Sequence, residues 1–297
     1  MKPGKKTRAA AFSIGSNILL VVVKLLVGIM SGSVAILAEA LHSAIDLLAA
    51  IIAFFSIRIA DSPADESHPF GHGKAEAISG AIEATLIMVA GVWIIYESVR
   101  KLQSGTKLQN IELAFSVMAL SALINFFISR YLLKVAKEQD SLALEADGHH
   151  LSTDVWTSAG VAVGMGLVWI TGFHAMDSVV ALLVALWIAF IGLRLTMKAT
   201  DQLMDRGLPE EELDRIQRLL DGEDRISGWH GLKTRKSGAT RQVIVHIECD
   251  GQTSLAKAHD IADDLERKIA EQVPPATVDI HMDVYESLKE QDDTDRR

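Results

Sequence analysis

Two sets of residues in this chain have the types and spacing to handle a metal ion and protons at one place. Glu39, His42 and Asp46 are spaced by three and four, and Asp147, His150 and Asp154 repeat that spacing later in the chain. On a helix such steps put each trio on one face. The two imidazoles and two carboxylates of His42, Asp46, His150 and Asp154 are a donor set for tetrahedral zinc, and four-coordinate cobalt, iron and cadmium stay open. Zn2+ with two aspartates and two neutral histidines sums to zero charge, which suits a low-dielectric site. Without metal the set reaches neutrality by protonating both histidines, so metal and protons compete for it. This chemistry predicts exchange of a metal ion for protons. Glu39 and Asp147 stand one turn earlier on the same faces and read as supporting or pathway groups, not as ligands. The plainer reading, local pairing that holds helices together, has to explain why one pattern occurs twice.

Both trios sit in or at the edge of apolar runs. The chain is 297 residues long and 49% hydrophobic, and its apolar residues gather in blocks at about 9–30, 33–57, 77–99, 111–133, 148–171 and 175–197. Each block approaches the roughly 20 residues a helix needs to cross the hydrocarbon of a bilayer. Six membrane helices are therefore predicted, with tight turns at Ser31-Gly32-Ser33 and Gly172-Phe173-His174 and longer polar connections at 58–76, 100–110 and 134–147. Charged groups within such a helix are expensive, about 2.5–3.5 kcal/mol each on an insertion scale, so the trios call for a function. Lys2, Lys5, Lys6, Arg8, Arg58, Lys74, Arg130, Lys134, Lys137, Arg194 and Lys198 fall on one side of the predicted membrane, and only Arg100, Lys101 and Lys107 on the other. That bias predicts cytoplasmic N- and C-termini. The basic start followed by an apolar run reads as a first membrane helix, not a cleaved leader, because no small-x-small cleavage site follows.

After Asp205 the pattern changes. Leu208-Pro209-Glu210-Glu211 opens a helix with proline early and acids in its first turn. Strands are predicted at 226–236 and 241–249, an amphipathic helix at about 254–272 and an alternating strand at 277–285. Order αββαβ makes this a small α+β domain, so the domains are expected at 1–205 and 206–288, with a charged, disordered tail at 289–297. The net charge of −9 excludes a nucleic-acid partner, and the single Cys249 excludes a cysteine-based zinc cluster. Any metal must be held by the ten histidines and by carboxylates.

These features together resemble the cation diffusion facilitators, and nearest the bacterial zinc and ferrous-iron efflux branch. The resemblance rests on the two His-x-x-x-Asp pairs, the loop Asp65-Glu66-Ser67-His68-Pro69-Phe70-Gly71-His72-Gly73-Lys74, the six-helix layout and the αββαβ tail. It implies a homodimeric metal/proton antiporter of the bacterial inner membrane that exports Zn2+ by alternating access, with a metallochaperone-like cytoplasmic domain. It also implies a second metal site at Asp65, His68 and His72, where spacing alone leaves a metal site and a solvated acidic turn both open. A third site is implied at a dimer interface by His230, His246, His259, His281 and Asp283; the shared strand face of His281 and Asp283 agrees with it. Lys74 and Asp205 resemble the charge pair that locks two protomers together. The sequence departs from the branch at His42, where many bacterial members carry aspartate. His-Asp twice over looks like the animal zinc transporters, and imidazole in place of a carboxylate disfavours manganese and magnesium.

A membrane metalloenzyme is the first rival, but four protein ligands leave no open coordination position, so no enzyme is expected. A sensor or scaffold that no longer transports is the second, and it gives no reason for two buried His-Asp pairs. Trp93, Trp156, Trp169 and Trp187 read as interfacial anchors or packing groups. Gly160, Gly164 and Gly166 read as points of close helix approach.

Overall fold

A computed structural model describes residues 4–31, 34–104, 111–172 and 175–285. The chain divides into two compact units, Met1–Thr200 and Asp201–Arg297. The predicted tail at 289–297 lies outside the described residues.

The first unit is built from α1 (Lys5–Ser31), α2 (Val34–Ala60), α3 (Ala75–Ser104), α4 (Ile111–Gln139), α5 (Leu142–Thr171) and α6 (Ala175–Leu203). Every helix is longer than its apolar block. Hydropathy marks only the length that faces lipid, whereas the backbone hydrogen bonds run on into polar ends. Among the described residues five helices, all but α5, are long and apolar enough to cross a membrane. The first half of α5 carries Glu145, Asp147, His149, His150 and Asp154, and much of its second half lies outside the residues whose side chains are described. The predicted loop at 134–147 is corrected: only Asp140 and Ser141 separate α4 from α5. Leu142, Ala143, Leu144 and Ala146 are buried, so their helix pays its way by packing rather than by hydropathy.

The unit turns apolar side chains outward, as contact with lipid requires, and buries several polar groups among its apolar core. Phe12, Leu26, Trp93, Phe127 and Leu183 are exposed, while Asn17, Lys24, Asp46, Glu83 and Asp147 are buried. Helix α1 packs on α2, α4 on α5 and α3 on α5. The α3–α5 approach turns on Gly80, where a Cβ would lie 2.9 Å from Leu142 Cγ. Helix α6 closes on α3 through Ile188 and Leu195 against Ala84 and Ile87. Gly160 brings α5 to Val184 of α6, as its place in the glycine cluster predicts; the surroundings of Gly164 and Gly166 lie outside the described residues.

The second unit contains α7 (Glu210–Asp221), β1 (Gly228–Ser237), β2 (Thr240–Cys249), α8 (Leu255–Gln272) and β3 (Ala276–Val284), the predicted αββαβ order. Strands β1 and β2 are antiparallel, and β3 joins β2 in parallel after the α8 crossover. Val243, Val245 and Ile247 point from β2 into a core with Ile216, Leu220, Leu265 and Ile269 of the two helices. Alternation sends His246 and Glu248 to the opposite face. Ser254 caps α8, its hydroxyl accepting from the Lys257 N–H.

Candidate metal centres

The geometry of the first unit brings the two trios together. Helix α2 presents His42 and Asp46, and α5 presents His150 and Asp154. Donor atoms of His42, Asp46 and Asp154 lie within 4.8 Å of one another. His42 Nε2 is 3.6 Å from Asp154 Oδ1 and 4.0 Å from Asp46 Oδ1. His150 Nε2 joins this group at 3.0 Å from Asp46 Oδ1. Asp46 and His150 are buried, and the half-exposed His42 side chain marks the open side. Donor atoms of one imidazole and two carboxylates therefore gather at one place, and the second imidazole, His150, reaches it through Asp46. The surroundings of the Glu39 side chain lie outside the described residues.

Two polar neighbours escape the spacing argument. Asn125 of α4 donates to Asp154 Oδ2 at 3.1 Å, leaving Oδ1 turned toward His42. Lys24 of α1 donates to Ser43 Oγ at 2.8 Å, next in sequence to His42. Each is a lone polar residue in an apolar run, and that interruption is the only signal either gives in the sequence.

The loop between α2 and α3 gathers Asp65, His68 and His72. Asp65 Oδ1 accepts from the Ser67 N–H at 2.9 Å and from the His68 N–H at 2.7 Å, an Asx-type turn that fixes its carboxylate. His72 Nε2 is 3.3 Å from Asp65 Oδ2, and the two imidazole rings are 4.5 Å apart. Gly71, at φ +80°, lets the chain reverse between them. The Ser67 hydroxyl above all, then the His68 N–H, hold the Asp65 carboxyl down at about 2. It stays an anion at any pH where a neutral imidazole exists.

In the second unit His230, His246 and His281 stand in register across β1, β2 and β3. Their rings stack at 5.0 Å and 4.8 Å. Asp283 lies beside all three, its carboxylate oxygens 2.9 Å from His246 Nδ1, 3.6 Å from His230 Nε2 and 3.3 Å from His281 Nε2. Glu248, two residues beyond His246 on the same face, contacts His230 Nδ1 at 3.2 Å; strand alternation is the signal that would have found it. His259 is not brought to this row. It lies on α8, paired with Asp263 at 3.6 Å, and α8 covers the other face of the sheet. Of the expected charge pair, Asp205 accepts from Arg235 Nη1 at 3.2 Å, and Lys74 stands just ahead of α3.

Comparison with known proteins agrees with this architecture. Residues 10–204 match the cation efflux transmembrane domain, and residues 208–285 match the cytoplasmic domain of cation efflux proteins. An uncharacterised transporter of Synechocystis is 34% identical over 281 residues, covering 94% of this chain and 91% of that protein. The cation-efflux pump FieF of Salmonella agona is 30% identical over 277 residues, covering 93% and 92%. Among solved structures, the Zn form of CzrB is 35% identical, with a TM-score of 0.25, and covers 28% of this chain and 94% of that one. The metal-bound C-terminal domain of the CzcD transporter from Thermotoga maritima is 22% identical, with a TM-score of 0.24, and covers 26% and 94%. The chain is an integral membrane protein that belongs to the cation efflux family, the cation diffusion facilitators.

Proposed function

We propose that the protein exports a divalent metal ion, Zn2+ first, across the bacterial cytoplasmic membrane in exchange for protons. The observation that carries this reading is the gathering of His42, Asp46 and Asp154 from two helices, with His150 against Asp46, inside a unit whose exterior is apolar. Four nitrogen and oxygen donors suit zinc, and their charge sum makes the loaded site neutral. Deprotonated imidazoles are required for metal and protonated ones neutralise the unloaded site, so one pair of helices serves both ions in turn. Alternating access then needs only that the cluster open first to one side and then to the other. The lysine and arginine bias supports cytoplasmic termini.

The loop of Asp65, His68 and His72 is proposed as a second metal site, and the row of His230, His246, His281 and Asp283 as a third. Because α8 keeps His259 away from the row within one chain, its part in that third site requires a second chain. This fits a homodimer, with the matched dimerisation-type cytoplasmic domain at its centre and Lys74 and Asp205 as the proposed locking pair.

The test is uptake by the full-length protein in proteoliposomes. Zn2+ accumulation driven by an imposed pH gradient, and lost in Asp46→Ala protein that elutes like wild type, is the expected result. Uptake indifferent to the pH gradient would remove the proton exchange; uptake that survives in Asp46→Ala would remove the site.

A further inference from the structure

A second group of buried polar residues lies deeper in the first unit and takes no part in the four-ligand cluster. Glu83 of α3 and Asp147 of α5 are both buried, and neither oxygen of either carboxylate has a hydrogen-bond partner among the described residues. Their helices, α3 and α5, pack against each other and meet closely at Gly80 and Leu142. Asp147 stands one turn before His150 on α5, His150 contacts Asp46, and α1, which carries Ser13, also meets α5. Ser13 Oγ is wholly buried and likewise lacks a partner by hydrogen-bond geometry, as does Ser79 Oγ one turn before Glu83. Two buried carboxylates without protein partners, on helices packed against each other, are among the most expensive arrangements a protein interior can hold, and they persist where a cation comes to them.

The surrounding elements make a line of these groups. On α3, Glu76, Ser79 and Glu83 follow each other by three and four on one face, all at 0% exposure. Gly80 lets that face meet α5 closely, at Leu142. On α1, Lys6, Ser13, Asn17 and Lys24 form a matching stripe. At the end of the unit that carries the N-terminus, Lys6 Nζ pairs with Glu76 at 2.7 Å, and the Ser141 hydroxyl also donates to Glu76. Glu76 is thus satisfied, and Glu83, two turns further in, is not.

We propose that Glu83 and Asp147, with the Ser13 hydroxyl, form a second stop for a divalent cation inside the membrane, between the Lys6–Glu76 ion pair and the His42/Asp46/His150/Asp154 cluster. Its donors are all oxygen, the ligand type that hard divalent ions take, so it selects by charge and leaves discrimination to the imidazoles of the cluster. An ion passing Lys6–Glu76 would reach the stop first and be handed on through Asp147, which neighbours both stations. This inference rests on the reading of the chain as a carrier of divalent metal.

The experiment uses full-length protein and Zn2+ as the probe. Equilibrium dialysis compares Asp46→Ala with Asp46→Ala/Glu83→Gln, and the second protein is expected to bind one ion fewer per protomer. Asp46→Ala/Asp147→Asn is expected to show the same loss. In proteoliposomes Glu83→Gln alone is expected to raise the KM for Zn2+ by about tenfold, the scale on which groups beside a metal site act. Equal ion counts with an unchanged KM would overturn the stop while leaving transport intact. A change confined to the pH profile, with equal counts, would assign the pair to protons and overturn the metal stop. Because an unpaired buried carboxylate destabilises, metal-free Glu83→Gln protein should melt no lower than wild type; a clearly lower midpoint would contradict the geometry. No uptake by wild type would instead sink the transport reading itself.

Discussion

At the scale of single residues, selectivity and affinity separate. The imidazole of His42 faces two carboxylates, at 3.6 Å and 4.0 Å. His42→Asp is expected to raise Mn2+ uptake relative to Zn2+ in a competition assay, because a carboxylate lowers the preference for borderline metals. Unchanged competition would show that selectivity lies elsewhere. Asn125 acts through Asp154, fixing which oxygen is free. Asn125→Ala is expected to weaken Zn2+ binding by about 10- to 100-fold with the ligands intact, read by the KM for uptake. The candidate cluster was legible in the sequence because its spacing repeats on two helices. Asn125 and Lys24 were not, since one polar residue in an apolar run has no pattern to set it apart. His259 matches the other tail histidines in type, but only the fold puts α8 on the far face of the sheet, so within one chain it stands apart from the row.

At the scale of elements, close helix contact positions the buried groups. Gly80 allows α3 to lie against Leu142 of α5, and a Cβ there would come within 2.9 Å of that side chain. Gly80→Val is expected to cost about 1–3 kcal/mol by overpacking, seen as a lower melting midpoint, and Leu142→Ala should return part of it. Strict additivity of the two changes would mean that the helices do not meet there. The six helices were readable from hydropathy, and the tail strands from alternation. What hydropathy could not show is that α5 begins as early as Leu142. The residues from Leu142 to Ala146 are buried by neighbouring helices, and a window searching for lipid-facing length passes over them.

At the scale of the molecule, the two units answer to different forces. The C-terminal unit is held partly by ions: Arg225 forks onto Glu223 and onto Asp264, and Lys268 bonds both. Arg225 chiefly holds Glu223 down at about 2 and keeps Asp264 below the usual carboxylate range. Both folded-state values are depressed, so this stabilisation is complete above the ordinary carboxylate range and is lost as pH falls from there towards about 2. With Trp93, Trp156, Trp169 and Trp187 changed to Phe, Trp229 fluorescence should report a falling melting midpoint across that window, with a smaller fall in Arg225→Gln. The transmembrane unit instead hides polar groups from lipid, and its buried His-Asp cluster is the centre of the proposed function. The most direct measurement is Zn2+ uptake into proteoliposomes at several imposed pH gradients, wild type beside Asp46→Ala. Uptake that follows the gradient in wild type and vanishes in the variant is expected. Equal uptake by both, in protein of equal fold and amount, would contradict a transport site at His42, Asp46, His150 and Asp154.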